Sequence, residues 1–380
     1  MKKGFNRLRG VAAASAMGLG LLGAGSARAS NVSIPVANLT RGSAVWKVIG
    51  NNSSLFSGTS AAISTPSGFS YAPTTTTSSS SAFAIADVSA EGFAEAFDNA
   101  LHLAVDGTLF VNPDATVDLT SDTITSDTQA LAGLDTSIQY YFHPTRPIVR
   151  AMYSFTNTGG SGKTINALIA GTLASDGNTT IQATSTGETK GLLNIPDTDD
   201  SNDLWRITND QKGIGINSST DPAITMSRFG SGAATVPDSV LLPGSGTFGS
   251  GDLNNFGERY NFTVPANSTA RILVFVELNK TISDAENCAV DFASLDAAFT
   301  AGMLDGLSVA QIDEVINYGA LGTVTAPATT CGKNAAITPT DPGTGTGSTE
   351  DEKTGALNLA GLGALLGLLT LVRVRRSKNS

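Results

Sequence analysis

Apolar residues recur at every second position through the middle of this chain. In SIQYYF, Ile138, Tyr140 and Phe142 fall on one face. In IVRAMYSFTN, Val149, Ala151, Tyr153 and Phe155 share one face, with Arg150, Met152, Ser154 and Thr156 on the other. Such alternation predicts half-buried strands. The HPTRP between them, with its two prolines, predicts the turn of an antiparallel pair. In LHLAVDGTLFV, Asp106-Gly107 separates two apolar runs, which is a hairpin signal. AVWKVIG, AFAIADV, KTINALIAGTL, NTTIQAT, LWRITND, AITMSRFG, RYNFTVP and ARILVFVEL are all short, rich in β-branched or aromatic residues, and bounded by turn formers. Ile272 to Val276 is apolar without a break, as a central strand covered on both faces requires. Many short strands with no helices alternating between them predict an antiparallel β-sandwich rather than a parallel sheet.

The period changes after Asn279. Cys288, Phe292, Leu295, Phe299 and Met303 recur at helical spacing. Then Ser308 and Gln311 offer a capping box, Val309, Ile312 and Ile316 share a helix face, and Gly319 can end the helix. Two short helices packed on the sandwich are expected. No apolar period survives in GKNAAITPTDPGTGTGSTEDEKTG, a linker by composition, nor in the tract PTTTTSSSS at Pro73–Ser81. Ala356 to Val372 is again apolar. As a helix it would span roughly 26 Å, just short of the ~30 Å hydrocarbon core. Arg373, Arg375, Arg376 and Lys378 follow at once, so the run reads as a membrane segment with a basic cytoplasmic tail.

The N-terminus carries the other address. Lys2, Lys3, Arg7 and Arg9 form a positive region, Val11 to Ala24 an apolar one, and Ala27-Arg28-Ala29 a small-x-small cleavage site. These are the ordered parts of a secretory signal peptide. The organisation expected is therefore a signal peptide (1–29), N-terminal strands with a Ser/Thr-rich loop (30–90), a β-sandwich (91–280), a helical segment (281–331), a linker (332–355), a membrane or sorting helix (356–372) and a basic tail (373–380).

Charge sharpens this picture. The formal net charge is −10, yet nine of the 23 basic residues lie in the two ends, leaving 14 against 33 acidic residues. The body thus carries about −19, which repels phosphate backbones and argues against nucleic acid as a partner. Cys288 and Cys331 are the two cysteines. Export and an even count predict a disulfide between them, worth roughly 4 kcal/mol in the chain-entropy account.

The last thirty or so residues resemble the C-terminal sorting signals of Gram-negative envelope proteins, the GlyGly-CTERM and PEP-CTERM kinds. The short glycine-broken span with Gly361, Gly363 and Gly367 and the arginine cluster match; a Gly-Gly pair or Pro-Glu-Pro is missing, and Thr354-Gly355-Ala356 is the nearest small-residue stretch. The resemblance implies handling near Gly355 by an intramembrane protease of the rhombosortase or exosortase class, then surface attachment or release. FTNTGGSGKTINALIAGTLASDGNTTIQATSTG is loosely similar to the extracellular β-sandwich domains of bacterial surface proteins, which share no single function.

Catalytic motifs are scarce. There is no G-x-S-x-G elbow and no H-E-x-x-H. GSGTFG at Gly244–Gly249 matches G-x-G-x-x-G, but no helix pattern follows it. His102 sits in a strand-like run; His143 sits near Tyr140, Tyr141, Arg146 and Arg150. Tyr, His and Arg together suit a polysaccharide lyase, in which a base removes a proton beside a uronate and a cation stabilises the enolate. They also suit a strand end with a solvated turn, which is the reading adopted. In DTDDSNDLW, Asp197, Asp199 and Asp203 alternate and offer oxygens to calcium, although Asn202 and Thr208 stand where an EF-hand loop needs glycine and glutamate. A solvated acidic turn accounts for them better and is the reading adopted. The expectation is an exported surface protein with a structural or binding role, toward a polysaccharide or protein ligand. The alternatives are a carbohydrate-active enzyme and a calcium-stabilised adhesin. No other cofactor is expected.

Overall fold

The computed structural model describes residues 30–49, 63–64, 70–71, 82–93, 96–97, 99–173, 179–187, 203–210, 221–241, 255–322 and 331. The signal peptide with Ala27 and Ala29, the Pro73–Ser81 tract, Asp197, Asp199, the Gly244–Gly249 loop, the linker with Gly355, the terminal apolar run and Arg373, Arg375 and Arg376 lie outside these residues. The chain divides into two units, Met1–Asn334 and Ala335–Ser380, and all described residues belong to the first.

In chain order the strands are β1 (Ser30–Ser33), β2 (Val36–Arg41), β3 (Ala44–Ile49), β4 (Ile63–Ser64), β5 (Ser70–Tyr71), β6 (Ala84–Ala90), β7 (His102–Val105), β8 (Thr108–Leu109), β9 (Thr116–Thr120) and β10 (Thr123–Thr125). They continue as β11 (Gln129–Leu131), β12 (Leu134–Phe142), β13 (Ile148–Asn157), β14 (Lys163–Thr172), β15 (Thr180–Thr184), β16 (Trp205–Asn209), β17 (Ala223–Ser227), β18 (Ser239–Leu241), β19 (Asn255–Val264) and β20 (Ser268–Asn279). The α-helices are α1 (Ile282–Ala289), α2 (Leu295–Thr300) and α3 (Val309–Asp313).

The protein is mainly β, and its sheets are antiparallel. One sheet of ten strands runs β1-β9-β10-β12-β13-β20-β17-β16-β15, with β11 also on β12; a second runs β18-β19-β14-β7-β8; a third is β2-β3-β6. Inner faces of all three meet in one apolar core. Phe155 on β13 packs edge-on against Phe262 on β19, with centroids 5.3 Å apart. Trp46 on β3 packs on Phe142 of β12 at 5.1 Å. Two buried tyrosines of the large sheet, Tyr140 and Tyr153, donate to the carbonyl of Leu101 at 2.9 and 2.8 Å, tying that sheet to the segment leading into β7.

The expected hairpins form. Asp106 and Gly107 both take positive φ between β7 and β8, as a tight primed turn demands. The β12–β13 pair spans Asp135↔Thr156 to Phe142↔Val149, with HPTRP as its turn. β13 departs from the half-buried reading. Its second face is buried too, because Ile148 and Met152, with Leu273 and Phe275 of β20, pack under Phe292, Leu295, Ala298 and Met303. The helical layer, not solvent, covers that face.

The helical segment also differs from expectation. Among the described residues it holds three short α-helices and a 3-10 turn at Val290–Phe292 rather than two helices. Thr281 and Ser294 each cap a new start, accepting from Asp284 N and Ala297 N, so the long periodic stretch is cut into pieces that follow the sheet. Phe299, placed by spacing on the buried stripe, is 60% exposed. The Ser308–Gln311 capping box forms, but α3 ends at Asp313 and not at Gly319, and Val309, expected on the packed face, is 72% exposed. No helix among the described residues is long and apolar enough to cross a membrane.

Candidate functional site

Four separate turns converge at one end of the large sheet. Gly42, in the β2–β3 turn, donates its N–H to Pro144 O at 3.0 Å. Arg41 pairs with Asp122 of the β9–β10 turn at 2.6 Å and also donates to Ser121 O. Phe142 N donates to Asp122 O at 2.8 Å. Tyr141 reaches Gly302 O, in the loop between α2 and α3, at 3.4 Å. Such convergence of loops on a rigid sheet is where binding chemistry tends to sit.

The structure brings Tyr141, His143, Arg146 and Arg150 to this end, and adds Asp122 and Asp305. Tyr140 points the other way, into the core. Arg150 is fully buried; it donates to the carbonyls of Met303 (2.7 Å) and Asp305 (3.0 Å) and to Gln139 Oε1 (3.1 Å). Its guanidinium lies over the Tyr141 ring, 4.7 Å from the centroid. Burial pulls its pKa down to about 10, against the opposing pull of Tyr141 and Asp305. Burial raises the Tyr141 phenol to about 12, with Asp305 adding to the shift and Arg150 opposing it. A phenol so placed stays protonated at neutral pH and is a poor base.

His143 is buried at the start of the turn. Its Nδ1 accepts from Thr145 N (3.2 Å) and Arg146 N (3.1 Å), so the imidazole is neutral with its proton on Nε2. Burial and then Arg146 lower its pKa, with the Ala301 backbone, Asp305 and Asp122 opposing. Arg146 turns away from the surface. Its Nε and Nη2 grip Glu277 at 3.0–3.1 Å, and Nη1 meets Asp291 at 2.6 Å. Burial works against the charge on Arg146, but Glu277 and Asp291 more than offset it and raise its pKa. Asp291 is pushed above the usual carboxylate range by burial, despite the pull of Arg146.

Cys288 and Cys331 are both buried, with Sγ atoms at disulfide distance, 2.02 Å. Together with Glu277 they are the one group of three or more His, Cys, Asp or Glu residues among the described ones whose ligand atoms gather within 4.8 Å. It does not suit a metal: the sulfurs face each other, and the Arg146 guanidinium already holds the place of a cation beside Glu277. Asp203, the described member of the acidic stretch, is buried. Its Oδ1 accepts from Thr186 Oγ1 (2.7 Å) and Thr186 N (3.2 Å), a turn-stabilising role.

A second polar cluster escaped the sequence reading. Between the two larger sheets, Arg206 of β16 pairs with Glu258 of β19 at 2.9 Å, and Arg228 meets the same carboxylate at 3.3 Å. Tyr260 donates to Arg228 O at 2.5 Å. The signal was available: Phe256, Glu258, Tyr260 and Phe262 alternate onto one face of β19, so a single acid sits on an apolar stripe. A buried acid requires a partner, and Arg206 is the charge on the inward face of its own strand.

No family model and no curated protein matches the chain. Among solved structures it is similar to a polysaccharide lyase, at 10% identity over 62% of this chain and 35% of that one, with a TM-score of 0.33. It is also similar to a protein described as an aldose 1-epimerase from Klebsiella pneumoniae, at 10% identity over 60% and 71% of the two chains and a TM-score of 0.30. A protein described as a kojibiose phosphorylase from the human microbiome shows 11% identity over 72% and 37%, with a TM-score of 0.32. The chain spans about a third of the length of the lyase and of the phosphorylase.

Proposed function

We propose that this chain is an exported β-sandwich protein of a bacterial envelope, displayed on the surface or released from it, with a structural or binding role toward a polysaccharide or protein. The single observation that carries the non-catalytic part is how the polar groups at the four-turn site are used. Arg146 is held by the buried Glu277 and Asp291, Arg150 donates to the carbonyls of Met303 and Asp305 and to Gln139, and His143 Nδ1 already accepts two backbone N–H groups. These bonds hold the converging turns together. One feature favours export: the leader has the ordered parts of a signal peptide. The basic-tailed run after 355 is taken as the membrane segment or sorting signal, cut near Gly355 by an intramembrane protease or kept as an anchor.

Intact mass and the C-terminal peptide of the protein from its native envelope and medium test this. A mature N-terminus at Ser30 is expected, with a C-terminus either near Gly355 or at Ser380; an uncleaved leader on cytoplasmic protein would overturn the reading.

A second reading, a carbohydrate-active enzyme, is favoured by one observation. His143 and the exposed Asp305 both approach Gly302: a Cβ placed there would lie 3.3 Å from His143 Nε2 and 3.8 Å from Asp305 Oδ2. Turnover of a uronate-containing polysaccharide that disappears in His143→Ala would replace the binding reading with this one.

A further inference from the structure

Where β17 and β20 run side by side beneath α1, two buried polar side chains stand without a hydrogen bond. Asn279, the last residue of β20, is wholly buried, and neither its Oδ1 nor its Nδ2 has a partner among the described residues. Thr225 of β17 is equally buried, and its Oγ1 has none either. Register brings the two close. Asn279 lies opposite Ala223, and Thr225 lies opposite Glu277. The pair are therefore diagonal neighbours on one face of the sheet. That face is the one α1 covers, because Ala223 packs with Ile282, Ala285 and Ala289 in one apolar cluster.

Buried amides and hydroxyls in native proteins are almost always paired, with protein or with ordered water. The chemistry of the three atoms selects what can pair them. Nδ2 only donates, Oδ1 only accepts, and a threonine hydroxyl does both. A cation would suit Oδ1 and Oγ1 but would face the donor Nδ2. An anion would suit Nδ2 but would face Oδ1 and lie near Glu277 on the same face. A neutral molecule that both gives and takes hydrogen bonds suits all three. The space calls for a small one. Diagonal side chains on an antiparallel pair stand about 7–8 Å apart, and once the side chains reach inward the remainder is the span of one bridging water. Over Ala223 lie Ala285 and Ala289, whose single methyl groups fill little of that space.

We propose that Asn279 and Thr225 form a buried binding site for a water molecule, which donates to Asn279 Oδ1 and Thr225 Oγ1 and accepts from Asn279 Nδ2. Three bonds are the usual number for a buried water. The water joins β17 to the end of β20, where the chain leaves the sheet for the cap of α1 at Thr281. The seat of α1 is thus part apolar and part hydrated. This site does not depend on the proposed surface role.

Diffraction from crystals of the mature chain, at a resolution that shows ordered water, tests it without any variant. One solvent peak at about 2.7–3.2 Å from both Asn279 and Thr225 is expected. No peak, a direct protein partner for the Asn279 amide, or a peak at about 2.3–2.6 Å ringed by oxygens alone, the mark of a cation, would each overturn the proposal. A double-mutant cycle reads the same bridge in solution. Thr225→Val and Asn279→Leu each remove one side and leave the other unpaired, so each should lower the urea midpoint. The double variant removes both sides, and its loss should be clearly smaller than the sum of the two. Additive losses would count against a shared water and overturn the bridge.

Discussion

Arg146 holds two buried carboxylates on one guanidinium, so removing it leaves Glu277 and Asp291 charged, close together and out of water. Arg146→Met should cost about 3–5 kcal/mol, read as a fall in the urea midpoint at unchanged slope. Adding Glu277→Gln should recover part of the loss. His102 is a different case. Burial lowers it from 6.5 to about 4, with the Asn99 backbone opposing. Between those values the unfolded chain takes up a proton that the folded chain refuses. The contribution of His102 is thus complete above pH 6.5 and is lost as pH falls toward 4, by up to about 3 kcal/mol. Urea midpoints across that range should decline in the wild type and decline less in His102→Gln. The charged residues were the least legible part of the sequence. Arg150 looked like the solvent side of a half-buried strand because alternation records which face is less apolar, not whether another layer covers it.

At the scale of elements, strands were far more legible than helices. β12, β13, β14 and β20 fall where alternation or unbroken apolar runs placed them, because a strand's period is set locally and these strands lie within one sheet stack. The helical stripe from Cys288 to Met303 misled, since α1 ends at Ala289, a 3-10 turn follows, and the cap at Ser294 starts a new helix that itself ends at Thr300. Ser308→Ala should cost about 1 kcal/mol, seen as a small drop in Tm with little change at the sheet. Gly171 is less tolerant: β14 passes so close to the Asn99–Leu101 segment that an added Cβ would lie 2.5 Å from Ala100 Cα and 2.9 Å from Asn99 O. Gly171→Ala should destabilise by about 1–3 kcal/mol, with exchange rising first along β7 and β14. The candidate site itself was half visible: the sequence brought Tyr141, His143, Arg146 and Arg150 together, but Asp122, Gly302 and Asp305 come from distant turns and only the fold supplies them.

For the molecule as a whole, the layers have unequal support. β13 and β20 are buried on both faces and paired along ten residues, from Ile148↔Glu277 to Asn157↔Ser268. The helical layer rests on short pieces and on the link from Cys288 to Cys331. Reducing that link should lower stability by roughly 4 kcal/mol, and exchange in α2 and α3 should rise before that in the sheets. The same link has a mechanical meaning. The chain beyond Cys331 is joined covalently at Cys288, nine residues past Asn279 at the end of β20. Tension pulled through that tail enters the sheet at its central strand and bypasses the 43-residue loop, so α2 and α3 carry no load until the sulfurs part.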